Sequence, residues 1–248
     1  MTSDPLELRS WRVAARNLPE HARNPIHTDA GARAAGFPRA LVAGVTTYAY
    51  LCHPLIEAWG VDFFSNARAE VRFRSPVFVD DDVLCEPTPV TDEVVVGAMV
   101  DDVERASCRA SVDVSPPSAA PDGEQLRTRH IRLEGEFGDE YALRAGDDLA
   151  LCSELGLVHP AVWPALANHL VHTEVARGSW IHTSSTIRHH AVAHVGSTAD
   201  VSGAVVRRFA SPAGERAVLD VRIGIEGVAV ATLEHHAIID VTRRSPPR

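Results

Sequence analysis

Asn24-Pro25-Ile26-His27-Thr28-Asp29, followed after a polar-to-small run by Gly36-Phe37-Pro38 and an apolar segment beginning at Ala40, is the stretch around which the chain is organised. Pro25 fixes its own φ and keeps Asn24 out of the helical region, so His27 is presented from a stiff corner. Thr28 or Asp29 suits a helix N-cap, Ala30 to Ala35 is good helix sequence, and Gly36 suits the position just past its end. The spacing predicts a histidine at the start of a short helix, with a longer helix directly behind it.

That longer helix is predicted from about Pro38 to Trp59. Leu41, Val45, Tyr48, Cys52, Leu55 and Trp59 recur at steps of four and three, and the other side, Ala43, Gly44 and Thr47, is small rather than charged. A helix that is apolar or small all round is a buried one. Pro54 is expected to kink it or end it early, and Gly60 to stop it. Upstream, Leu6 to Val13 reads as a first strand ended by Pro19. Downstream the period changes to two, over Ala67 to Phe73, Val77 to Val79, Val83 to Pro87, Val94 to Val100 and Ser107 to Val114, which reads as antiparallel strands with one covered face.

Ser115 to Gly123 holds three prolines and a glycine in nine residues and predicts a linker. Beyond it the same order of elements returns. Thr128 to Phe137 reads as a strand, Asp147 to Leu155 as a short helix closed by Gly156, and a second apolar helix holds Val162, Trp163, Leu166 and Leu170. Strands follow over Thr183 to His190, Ala199 to Val206, Ala217 to Ile225 and Val228 to Val241, with Glu226-Gly227 as a tight turn between the last two. The chain therefore reads as two copies of one unit. Residues 1–114 form the copy with the corner motif, 115–124 the linker and 125–248 a degenerate copy with about Arg144 to Asp147 where the first has Asn24 to His27. The two sheets are expected to join edge to edge.

Composition bounds the function. A hydrophobic fraction of 45% in 248 residues predicts a folded globular protein with a real core. The formal charge of -9 and the lack of any basic run argue against a nucleic-acid partner. There is no lysine, so an anionic ligand would have to meet locally placed Arg or a helix N-terminus. Cys52, Cys85, Cys108 and Cys152 are far apart in apolar segments and read as buried thiols in a reducing compartment. No apolar run reaches membrane-spanning length and the N-terminus lacks a signal-peptide core, so the expectation is a soluble, cytoplasmic protein with no membrane partner.

With these elements in place, the chain resembles the MaoC-like (R)-specific enoyl-CoA hydratases and dehydratases. The resemblance rests on Asn24-Pro25-Ile26-His27 followed by Ala34-Ala35-Gly36-Phe37-Pro38, and covers roughly residues 1 to 114 by sequence. It implies an α+β double hotdog, in which each antiparallel sheet wraps a long central helix. It implies hydration or dehydration of a 2-enoyl/3-hydroxyacyl group on CoA or a carrier protein, with no cofactor beyond the thioester carrier. By the same resemblance His27 is the catalytic histidine, Asn24 a corner residue ordering the site, and Gly44 the backbone N–H donor to the thioester oxygen. The chain departs from the family at two positions. The Asp five residues before the His is Ala22, with Glu20 and His21 out of register beside it, and the His before the helix glycine is Ala43.

Plainer readings stand beside each assignment. His27 could be a turn histidine, Asn24 a turn residue and Gly44 a site of close packing. His169 and His172 fall at helical spacing and His190 and His194 on one strand face, yet no carboxylate or Cys joins them at metal-ligand spacing, so no metal is expected. Arg72 and Arg74 suit a solvated strand face as well as a phosphate. The alternative to a hydro-lyase is a hotdog protein that lost hydratase chemistry with Ala22 and binds acyl thioesters or hydrolyses them. An internal pair of hotdogs is compatible with a monomer or a homodimer.

Overall fold

A computed structural model describes residues 8–113, 115–138 and 140–241. In chain order these form β1 (Trp11–Ala14), α1 (Asp29–Ala34), α2 (Gly44–Trp59), α3 (Asp62–Ser65), β2 (Ala67–Phe73), β3 (Asp82–Val90), β4 (Glu93–Val100) and β5 (Val103–Val112). The second half adds β6 (Glu124–Gln125), β7 (Arg129–Arg132), α4 (Tyr141–Ala145), α5 (Leu151–Leu155), α6 (Val162–Leu170), β8 (Ile181–His189), β9 (Thr198–Ser211), β10 (Gly214–Ile225) and β11 (Val228–Val241). All strands belong to one antiparallel sheet of order β1-β3-β4-β5-β2-β8-β11-β10-β9-β6, with β7 pairing β9.

The join between the halves is β2 against β8, with Ala69 opposite Ile187 and Val71 opposite Ser185. The pairing also puts Arg68 opposite Arg188, which would be repulsive. Each guanidinium is turned to its own carboxylate instead, Arg68 to Glu70 at 3.2 Å and Arg188 to Asp113 at 2.7 Å. The edge-to-edge union expected from the repeat is thus present, and residues 115–123 carry no helix or strand.

α2 is the centre of the first half: every residue from Val45 to Ile56 is buried, as its lack of a charged face requires. The alternation of β5 follows the same logic, with Ala106, Cys108 and Ala110 inward and Arg109 outward. All four cysteines are buried free thiols. No helix among the described residues is long and apolar enough to cross a membrane.

Several boundaries differ from the sequence reading. The long helix begins at Gly44 rather than near Pro38, because Leu41 bridges Phe78, Val42 N–H bonds Val77 O, and the Asn17 side chain takes the Ala43 N–H. Those bonds hold the apolar run 40–43 extended, and the same contacts make Val77 to Val79 a turn-and-bridge segment instead of a strand. The helix runs through Pro54 to Trp59. The first strand is Trp11–Ala14, with the predicted Leu6 start outside the described residues; a 3-10 turn begins at Pro19. Thr128 to Phe137 shortens to β7 plus a 3-10 turn over Gly135–Phe137. The predicted Asp147 to Leu155 helix starts only at Leu151. α6 continues into a π-helical turn, Val171–Val175.

α1 behaves as its sequence predicts: Thr28 caps it by accepting from Gly31 N–H at 3.2 Å, and Gly36 follows at φ 87°. Gly31 packs α1 onto the corner so closely that an added Cβ would lie 2.0 Å from Pro25 O. Alanine is ordinarily the better helix residue by about 1 kcal/mol, but a collision with backbone cannot be relieved by a side-chain rotation. Gly31→Ala is therefore expected to destabilise the protein by about 3 kcal/mol and to displace His27, which a thermal melt and an activity measurement would show together.

Candidate active site at the seam of the two halves

Two consecutive 3-10 turns, Pro19–Arg23 and Pro25–His27, build the corner, each with a proline at its start. Asn24, extended at φ -96° and ψ 114°, joins the two turns, and Ala22 between His21 and Asn24 is exposed. His21, Asn24 and His27 fall on a common side. All three line a cavity of about 80 Å³, with Glu20, Asn168 and Trp180 among the other walls. Asn24, His27, Asn168 and Trp180 also line a second, larger cavity of about 410 Å³. His27 thus stands where the two spaces meet. Asn168 is on α6 and Trp180 precedes β8, so both halves contribute to the site.

His27 Nδ1 lies 2.9 Å from Leu41 O. A carbonyl can only accept, so Nδ1 carries the proton and Nε2 the lone pair. Burial pushes the pKa of His27 down to about 4, partly opposed by the bond to Leu41, so the ring is a neutral base at pH 7. Asn17 fixes this geometry: its Nδ2 donates to Leu41 O at 2.7 Å and to His27 O at 3.3 Å, while its Oδ1 accepts from Ala43 N–H at 3.0 Å. His21 has the complementary tautomer, since Leu18 N–H donates to its Nδ1 at 3.2 Å and leaves the proton on Nε2. Desolvation first, and then the neighbouring His27, lower its pKa to about 3.

Asn24 reaches across to the second half, donating from Nδ2 to Trp180 O at 2.9 Å. Gly44 opens α2. The first intrahelical acceptor, Ala43 O, serves Thr46 and Thr47, which leaves the amides of Gly44 and Val45 without a partner in the helix. Gly44 lines the larger cavity and Val45 the smaller. A Cβ at Gly44 would come within 3.2 Å of His182 Nδ1 and of the Phe73 ring. The three residues singled out from the sequence are therefore gathered at one place. Asn17, Asn168 and Trp180 were not foreseen, and Glu20 and His21, set aside as out of register, are in the lining.

Glu20 does not stand in for the carboxylate expected at position 22, because Arg144 binds both its oxygens at 2.9 and 3.1 Å. Ala22 itself is exposed and lines neither cavity. Ala22→Asp is accordingly expected to leave stability within about 0.5 kcal/mol and to add no activity. A melt and a rate measurement check this; a large change in either would mean that position 22 faces the site.

Elsewhere, Arg72 pairs with Glu70 and Arg74 with Glu104, both at 2.6 Å, as a solvated strand face would have them. One histidine–carboxylate group among the described residues lies within metal-ligand reach. His53 Nε2 is 2.7 Å from Asp148 Oδ1 and 3.7 Å from Asp147 Oδ1, at the place in the second half that answers to the His27 corner. A metal on Nε2 would force the proton onto Nδ1, which is buried with no partner. His53 Nε2 is already engaged by Asp148, and Asp148 is largely exposed, so the residues do not fit a metal well.

Residues 19–105, which contain the corner, α1 and α2, match the profile of the MaoC like domain. The match covers about a third of the chain. Comparison with curated proteins finds no matching sequence. Solved structures match over most of the chain at low identity. A conserved Mycobacterium tuberculosis protein with a double hotdog fold aligns at TM-score 0.62 and 14% identity, covering 94% of this chain and 96% of that one. The dehydratase domain of RzxB from Pseudomonas fluorescens aligns at 0.51 and 15%, covering 81% and 86%. A Lactobacillus plantarum protein provisionally assigned as an oleoyl thioesterase aligns at 0.54 and 10%, covering 94% and 97%. These likenesses establish the fold, a double hotdog, in which dehydratases and thioesterases both occur. The stretch similar to the MaoC like domain is the one that carries His27.

Proposed function

We propose that the protein adds water to a 2-enoyl thioester, or removes it from the 3-hydroxyacyl form, with His27 as the acid/base. The observation that supports this best is the tautomer of His27: Nδ1–H is held by Leu41 O and Nε2 keeps its lone pair, in a residue that shares one cavity with Gly44 and the other with Val45 at the start of α2. In hydration, Nε2 takes a proton from water as the water oxygen bonds to the β-carbon. The charge then develops on the thioester oxygen, where the Gly44 N–H and the positive end of α2 stabilise it. Nε2 returns the proton to the α-carbon, and the histidine ends as it began. The reaction needs no redox or metal chemistry.

The larger cavity suits an acyl thioester. Ile26, Phe37 and Ile181 give it apolar walls, and Arg74 and Arg216 also line it. In a chain without lysine, Arg216 is the lining cation for the phosphates of CoA or of a carrier arm, since Arg74 is held by Glu104. The test is incubation with short and long 2-enoyl-CoA, following the conjugated chromophore and free thiol at once. Loss of chromophore without thiol release supports hydration. Thiol release would assign the site to thioester hydrolysis instead.

A further inference from the structure

We propose that His21 is a second functional histidine, a fixed hydrogen-bond donor to the oxygen of the water that is added or removed. This inference rests on the hydratase reading above. His21 and His27 line the same small cavity with ring centroids 5.8 Å apart and planes tilted by 55°. Backbone groups set their tautomers in opposite senses, so the pair presents one N–H and one lone pair. An oxygen between them can accept from His21 Nε2–H while exchanging a proton with His27 Nε2.

The rest of the small cavity is largely apolar, but three of its walls hold polar atoms that lack a partner. Asn24, Trp180 and Tyr141, at 5%, 4% and 1% exposure, line it and each keeps a buried polar atom with no protein partner: Oδ1, Nε1 and the hydroxyl. Native interiors rarely leave such atoms unpaired, and a water held among them would complete their hydrogen bonds. The carboxylate nearest to hand, Glu20, is already paired with Arg144.

The protons balance without His21 being consumed. In dehydration, His27 Nε2 takes the α-proton, the C–O bond breaks with its electron pair on oxygen, and the double bond forms. The proton on His27 then passes to that oxygen and water leaves. His21 donates a hydrogen bond to the oxygen while it bears charge but keeps its proton, because its Nδ1 is already a lone pair and loss of Nε2–H would leave an imidazolate.

Two substitutions separate this role from a structural one. His21→Asn keeps an acceptor near Nδ1 for Leu18 N–H but has no donor at the Nε2 position. His21→Gln places an N–H near Nε2 but loses the bond to Leu18. His21→Asn is expected to melt like the unaltered protein while its kcat for enoyl-CoA hydration falls about 10- to 100-fold with KM within about twofold. His21→Gln should recover most of kcat despite a lower melting temperature. Unchanged kcat in His21→Asn, or a loss that tracks melting temperature in both variants, overturns the inference and leaves the hydratase reading intact. No hydration by the unaltered protein removes both.

Discussion

Lowering the pH from 7 toward 4.5 is expected to unfold this protein. His182, His189 and His235 are buried, and burial holds the first two near a pKa of about 3 and drives His235 well below its usual value. In the unfolded chain each would bind a proton near pH 6.5, whereas in the folded chain each stays neutral. The unfolded state therefore takes up protons that the folded state refuses. Stability is lost from about pH 6.5 downward, and the loss continues until the folded values are reached. Each such group contributes about 1.4 kcal/mol per pH unit in that window, so with His21 and His27, lowered in the same way, five give roughly 7 kcal/mol per unit. Buried Asp147, whose carboxyl is lowered mainly by His159 against the opposing effect of burial, acts in the same direction at lower pH. Against a total stability of about 5 to 15 kcal/mol, the transition falls roughly between pH 4.4 and 5.8. Urea midpoints at pH 7, 6 and 5 measure the slope. Both ring nitrogens of His189 lack partners and its ring packs on Phe63 at 5.3 Å, so His189→Leu should make the slope shallower by about a fifth and raise stability at pH 5. A pH-independent midpoint would show that these histidines are hydrated.

His27→Ala is expected to lower enoyl-thioester turnover by about two to four orders of magnitude, the range for loss of a positioned acid/base. Its cost in stability should be small, about 1 kcal/mol or less, for a specific reason. Leu41 O accepts from Asn17 Nδ2 as well as from His27 Nδ1, so removing the imidazole does not strand the carbonyl. Steady-state rates and a melt on the same preparation check both parts. Unchanged turnover would take His27 out of the mechanism, and a collapse of stability would show that it holds the corner rather than the substrate.

The parts of the fold that could be read from the sequence are those fixed by local chemistry. Thr28 and Gly36 bound α1, period-two alternation marks Ala67 to Phe73 and Val228 to Val241 to the residue, and Glu226-Gly227 takes the positive φ values its turn requires. Repetition around the Pro-rich segment gave the double unit. What the sequence hid depends on contacts between distant residues. The start of α2 is set by Asn17, Val77 and Phe78, so apolar periodicity alone places it too early. The site shows the same division. Asn24-Pro25-Ile26-His27 marks the corner, but the second wall comes from Asn168 and Trp180, which only the fold brings within reach. His21 was not readable in this way, because the two proline-started turns are broken at the extended Asn24 and no single period runs through residues 21, 24 and 27.

The most direct measurement is mass spectrometry of the product formed from a 2-enoyl-CoA in water enriched in 18O. Hydration at the seam predicts one labelled oxygen on the β-carbon of an intact acyl-CoA, and no such product from His27→Ala at matched time. Label in a released carboxylic acid, or substrate recovered unchanged at high enzyme concentration, would contradict it.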